Sequence, residues 1–322
     1  MNQITNQNTK MAFIFPGQAS QSVGMGKDLA DAFASARSVF EEVDDALSQN
    51  LSRLMWEGPM DELTLTTNTQ PALMACSLAV MAVLKLDFDV DVSAASYVAG
   101  HSLGEYSALC AAGSLSLAET AKLLRLRGEA MQKAVPVGEG AMAALLGADL
   151  DVADKAVATG AQSGVCQIAN DNAVGQVVIS GAKAAVDAAI AAANELGVRK
   201  AVLLPVSAPF HCELMAPAGE AMADALADID LKTPLVSVVN NVTAQAVSCP
   251  AQLKADLVTQ VTGRVRWRES ITWMAENEIE IFAEPGTGKV LTGMLRRIVK
   301  GVNGKALNTP EALEKFAESL NG

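Results

Sequence analysis

Only two histidines, His101 and His211, occur among the 322 residues. Any chemistry that needs an imidazole therefore has two candidates. Cations are also scarce: 24 Lys and Arg against 36 Asp and Glu leave a net charge of −12. That balance argues against nucleic acid or an anionic membrane as a general partner, and an acidic partner would need a local basic patch. The five cysteines (Cys76, Cys110, Cys166, Cys212 and Cys249) are scattered, odd in number and without a CxxC pair. They read as reduced thiols of a cytoplasmic protein, neither a disulfide framework nor a zinc site. Half of the residues are hydrophobic, yet no run approaches the length of a membrane span. The polar start, Met1 to Lys10, carries no secretory pattern and reads as a disordered tail.

Short apolar runs alternate with Ala-rich helical stretches, the pattern of an α/β protein with a largely parallel sheet. Met11–Phe15 reads as a buried strand stopped by Pro16-Gly17, and helical periodicity covers roughly Gln70 to Leu86 and Leu117 to Ala134. Residues 138–207 look like a separate unit. Strand (Ala141 to Leu146), helix (Val152 to Gln162) and strand (Val165 to Ala169) are followed by a turn and a strand (Gln176 to Ser180). A helix (Lys183 to Leu196) and a strand (Lys200 to Val206) complete it. This βαββαβ order is the ferredoxin-like arrangement. The expectation is a large α/β domain, residues 1–137 and 208–322, interrupted by a small one at 138–207, with the cleft between them as the default site.

Gly100-His101-Ser102-Leu103-Gly104 lies between a small and β-branched run and the helix-like run Tyr106 to Ala112. It reads as a nucleophile elbow: a serine held in a strained strand-to-helix turn, with the following helix aiming free N–H groups at a developing oxyanion. A side chain adjacent to the nucleophile on such a turn points away, so His211, where the chain returns from the small unit, is the better general base than His101. Most of the ten carboxylates between Ser102 and His211 lie in the small unit, among them Asp149, Asp151, Asp154, Asp171, Asp187 and Glu195. A neutral group orienting His211 therefore has to be considered. Arg127 is centred on an apolar helical stripe with Leu123, Leu124, Ala130, Met131 and Ala134, all within about 60° of it at 100° per residue. Such a cation needs a carboxylate, from an internal ion pair or from a substrate.

Three other stretches carry weaker signals. Phe15-Pro16-Gly17-Gln18 ends the first strand, where a loop can offer a backbone N–H to an oxyanion. Glu284-Pro285-Gly286-Thr287-Gly288-Lys289 fails the phosphate-loop pattern, because Ala283 replaces the first glycine and Val290 the Ser/Thr. Arg264, Arg266 and Arg268 alternate in a strand-like run, and with Arg296, Arg297 and Lys300 they read as solvated faces.

Together these residues resemble the malonyl-CoA:acyl carrier protein transacylase family from about Ala12 to Leu307. The resemblance rests on Phe15-Pro16-Gly17-Gln18, Thr69-Gln70-Pro71-Ala72, Gly100 to Ala108 and Arg127-Gly128. It continues through Gln176 to Gly181, His211, Val239-Asn240-Asn241-Val242 and Gly286 to Leu291. It implies a large α/β-hydrolase-like domain with a ferredoxin-like insert. Ser102 would be the nucleophile, His211 its base, and the backbone N–H groups of Gln18 and Leu103 the oxyanion hole. Arg127 would hold the malonyl carboxylate, the backbone carbonyl of Gln260 would orient His211, and His101 would line the site. Phe210, directly before His211, would put a ring beside the acyl group and narrow the pocket toward malonyl. The chain departs from the family at Asn170 to Val174, which is expected to affect a loop of the insert and leave the chemistry untouched. The implied partners are malonyl-CoA and acyl carrier protein, docking through a local basic patch, with no metal or prosthetic group. A serine thioesterase or esterase using the same elbow is the alternative, and Arg127 discriminates, since a simple esterase has no use for a cation on the acyl side.

Overall fold

The computed structural model describes residues 10–206 and 208–321. Most of the expected N-terminal tail, and Ser207 at the end of the expected small unit, lie outside the described residues. Lys10, counted above with the tail, is tied down: its carbonyl accepts the N–H groups of Glu280 and Ile281 at 3.0 and 3.3 Å.

Among the described residues, ten strands form two sheets: β1 (Met11–Phe15), β2 (Tyr97–Gly100), β3 (Gly140–Leu146), β4 (Cys166–Ala173), β5 (Gln176–Ala182), β6 (Lys200–Leu203), β7 (Val238–Val239), β8 (Ala246–Val247), β9 (Ile281–Pro285) and β10 (Asn303–Leu307). The first sheet has the order β10-β9-β1-β2-β7-β8 and is parallel except for the β7–β8 pair at one edge. β1 is apolar at every position and buried at every position, as a central strand covered on both faces must be.

The helix Thr66–Leu86 is long and apolar enough to cross a bilayer by length and composition, which the sequence reading overlooked. Here every residue from Asn68 to Met81 is buried inside the protein, so its apolar circumference is that of a core helix.

The second sheet has the order β4-β5-β3-β6, antiparallel throughout. The helices Leu150–Gly160 and Lys183–Glu195 cover one face through small residues, among them Ala153, Ala156, Ala185 and Ala189. Its other side contributes Met142 and Asn170 to a cleft shared with the first sheet. β4 runs four residues past its expected end at Ala169, so the turn shrinks to Val174-Gly175. Residues 170–173 stay paired with β5 up to that turn. On the other edge Val265 donates its N–H to Ala169 at 2.8 Å and accepts that of Asp171 at 3.0 Å, so a distant segment covers the free side of the strand. Arg268 then pairs with the buried Asp171 carboxylate at 2.8 Å. Its place in the helix Trp267–Glu276 replaces the strand-like, solvated reading of that arginine.

Candidate active site

The C-terminal ends of three parallel strands deliver the site. Phe15 and Gly100 are register partners, as are Ala99 and Val239. The loops after β1, β2 and β7 therefore leave the same edge side by side, where open α/β sheets place their ligand crevice. Ser102 sits between β2 and the helix Gly104–Ala111 with a left-handed φ of 54°. A Cβ on Gly100 would lie 1.9 Å from the Gly104 carbonyl group, and one on Gly104 2.3 Å from the Phe15 oxygen, so the turn admits only glycine at both positions. The strain at Ser102 is held by Asn241, whose Oδ1 accepts the Ser102 N–H at 2.7 Å and whose Nδ2 donates to the Gly100 carbonyl at 2.7 Å.

His211 also has a left-handed φ, 58°, and is buried. Its Nε2 is 2.8 Å from Ser102 Oγ; its Nδ1 is 2.9 Å from the Gln260 carbonyl and 3.2 Å from that of Gly263. Carbonyls only accept, so Nδ1 carries the proton and Nε2 turns its lone pair to the serine hydroxyl. Burial, and then the nearby Arg127 charge, push the imidazole pKa down to about 3, which keeps the ring neutral.

Arg127, 1% exposed, donates to Gln70 Oε1 at 2.8 Å, Gln260 Oε1 at 2.9 Å and Ser102 Oγ at 3.1 Å. Its guanidinium lies 5.7 Å from the Tyr106 ring centre. No described carboxylate forms an ion pair with it, and its Nε has no partner. A buried cation met only by neutral acceptors is short of one counter-charge.

Gln18 and Leu103 line the same cleft, and the backbone N–H of neither is bonded to a described group. Ala19, next to Gln18, holds a left-handed φ of 82°. Phe210 is nearly buried in the wall with Met131, Met142, Leu204 and Val206. His101 is present but turned aside. Its Nε2 meets Asn172 Oδ1 at 2.8 Å and its ring packs on Trp267 at 5.6 Å, and burial pulls its pKa down.

The segment Asn170 to Val174, expected only to affect a loop of the insert, thus reaches the cleft. Asn170 lines the cleft and Asn172 holds His101, because the β4 extension carries both to the site. Gln70, Asn241 and Glu105 were likewise given no role. The polar run Thr66 to Gln70, opening a helix that is apolar for most of its remaining length, is the available signal for Gln70. At the phosphate-loop look-alike, Glu284 accepts the N–H groups of Leu291 and Thr292 at 3.0 and 2.7 Å. A carboxylate of the chain itself occupies that helix start, where a phosphate would otherwise sit.

The acyl transferase domain family matches residues 12–309. The malonyl CoA-acyl carrier protein transacylase of Bacillus subtilis is 42% identical over 316 residues, 97% of this chain and 98% of that protein. The crystal structure of an acyl-carrier-protein-S-malonyltransferase from Bartonella henselae is 52% identical, with a TM-score of 0.95 over 97% of this chain and 100% of that one. A malonyl-transacylase solved in complex with a type II PKS acyl-carrier protein is 40% identical with a TM-score of 0.93, covering 96% of this chain and 99% of that one. With near full-length matches at these identities, this chain belongs to the malonyl CoA-acyl carrier protein transacylase family of acyl transferases.

Proposed function

We propose that the protein moves the malonyl group of malonyl-CoA to the phosphopantetheine thiol of acyl carrier protein, through a malonyl ester on Ser102, in fatty acid or polyketide synthesis. The observation that carries this reading is Arg127, a buried cation without a counter-ion, 3.1 Å from the Ser102 hydroxyl. A substrate carboxylate supplies what it lacks. In the first half-reaction Oγ attacks the thioester carbonyl while His211 Nε2 takes its proton. The oxyanion meets the N–H groups of Gln18 and Leu103. Collapse breaks the carbon–sulfur bond, and the CoA thiolate leaves with the proton from His211. The carrier thiol then gives its proton to His211 and reverses the sequence. Docking of the carboxylate also cancels the charge that depresses His211, so the base strengthens when the correct acyl group is bound.

On this reading the turn at Ser102 is a nucleophile elbow in an α/β-hydrolase-like domain, residues 1–137 and 208–322. Residues 138–207 form a ferredoxin-like insert that roofs the cleft, with the strand order β6-β3-β5-β4 as support. Serine and histidine supply the nucleophile and the proton transfers, so the chemistry calls for no metal or prosthetic group. Acyl carrier protein docks on a local basic patch of a protein whose net charge is otherwise −12, and the reaction takes place in the cytoplasm. Intact-mass measurement tests the scheme: malonyl-CoA should add one malonyl group, and holo acyl carrier protein should remove it and become malonylated. Loss of the adduct to water, with no acceptance by the carrier, would make the protein a thioesterase.

A further inference from the structure

Glu105, in the first turn of the helix Gly104–Ala111, is fully buried. An acid at a helix start commonly faces water and the helix dipole; this one faces the site. Its Oε2 accepts two bonds, from the Asn241 N–H at 2.9 Å and from Gln260 Nε2 at 2.9 Å. The first seats Asn241 on the Ser102 N–H. The second decides which way the Gln260 amide faces. Around Gln260 Nε2 stand three oxygens: Glu105 Oε2, the Ser102 carbonyl at 3.0 Å and Asn241 Oδ1 at 3.4 Å. Only the amino end of an amide fits there, so its oxygen end must face Arg127.

We propose that Glu105 is a positioning residue for acyl transfer: its one bonded oxygen holds the Asn241 backbone and the Gln260 side chain, and through them sets Ser102 and Arg127 relative to each other. The role rests on the assignment of Ser102 and Arg127 made above. The other carboxyl oxygen, Oε1, is buried without a partner. A neutral acid therefore keeps both bonds that the carboxylate makes, because Oε2 only accepts. The charged and titratable groups around it are Arg127, Asp256 and Tyr106, with His211 beyond Gln260. Burial, and to a lesser extent Asp256, raise the Glu105 pKa, while the two hydrogen bonds and Arg127 lower it; the balance stands at about 7. Below that pH the acid is neutral and the whole charge of Arg127 is left to the substrate. Above it, Glu105 ionises and, without an ion pair to Arg127, its charge offsets part of the guanidinium's pull on the substrate carboxylate.

The test measures kcat and KM for acylation of Ser102 by malonyl-CoA and acetyl-CoA from pH 6 to 9, in wild type, Glu105→Gln and Glu105→Leu. Both thioesters carry the same CoA, so titration of its phosphates cancels in the comparison. In wild type, KM for malonyl-CoA should rise several-fold, up to about tenfold per pKa unit of coupling, while KM for acetyl-CoA stays level. Glu105→Gln keeps an accepting oxygen and cannot ionise; it should restore kcat to within several-fold of wild type and remove the rise. Glu105→Leu keeps the volume without the acceptor, and kcat should fall with both substrates. A Gln variant whose malonyl-CoA KM still rises as in wild type would overturn the proposal, and this holds even if the Leu variant does not fold. So would a folded Leu variant with wild-type kcat. A wild-type protein that takes up no acyl group overturns the assignment of Ser102 and this role with it. Normal wild-type acylation matched by both variants overturns the role of Glu105 alone.

Discussion

His211 Nε2 stands 2.8 Å from Ser102 Oγ across 109 positions of sequence, and both residues hold left-handed backbone conformations. Two strained residues meeting at hydrogen-bond distance, each pinned by neutral amide groups, leave the serine proton one place to go. Ser102→Ala should therefore abolish the acyl adduct seen by intact mass. His211→Ala should leave the fold unchanged and slow acylation by about 10²–10⁴-fold, the usual worth of a general base. An adduct surviving in Ser102→Ala would place the nucleophile elsewhere.

Arg127→Ala separates the substrates. Malonyl transfer should lose roughly 2–5 kcal/mol, the cost of stripping a buried charge of its partner. Acetyl transfer brings no carboxylate, and it should hold or improve, because removing the cation relieves the depression of His211. Equal loss with both thioesters would make Arg127 a structural residue that only holds Gln70 and Gln260.

The pH dependence follows from His211. Its folded pKa, about 3, lies below the ordinary histidine value of about 6.5. As pH falls below that value the unfolded chain takes a proton that the folded chain refuses. The stability this group contributes is thus complete above about pH 6.5 and is lost as pH falls toward the folded pKa. The acid limb of kcat/KM, which reports the free enzyme, should lie well below 6.5. The limb of kcat with malonyl-CoA should sit higher, since the bound carboxylate offsets Arg127, and acetyl-CoA should show no such separation. Stopped-flow acylation across pH 4 to 8 shows whether either limb falls inside that window. A kcat/KM limb at the ordinary histidine value would show that His211 is not desolvated.

Phe210 forms part of the cleft wall directly before His211. Discrimination by one methylene in a pocket is worth about 1–3 kcal/mol, so malonyl-CoA should be preferred over methylmalonyl-CoA within that range and less so in Phe210→Ser. An unchanged ratio of kcat/KM values, with both depressed, would mean that the ring only supports the His211 loop.

Local chemistry made much of this protein legible in the chain. A short unbroken apolar run such as Met11–Phe15, stopped by Pro16-Gly17, reads as a buried strand. The glycines around Ser102 announce a turn that no Cβ fits, and the 3.6-residue stripe around Arg127 places a cation inside. These properties need only near neighbours in sequence. The length of β4, the contact of Asn172 with His101 and the seating of Gln260 between Glu105 and Arg127 are of another kind. β4 outlasts its expected end by pairing with β5 on one edge and with Val265, far along the chain, on the other. Gln260 gives its carbonyl to His211 and its amide to Arg127 and Glu105. Each of those partners comes from a different loop or helix, so the direction of a hydrogen bond there was decided only when the parallel strands brought their ends to one edge.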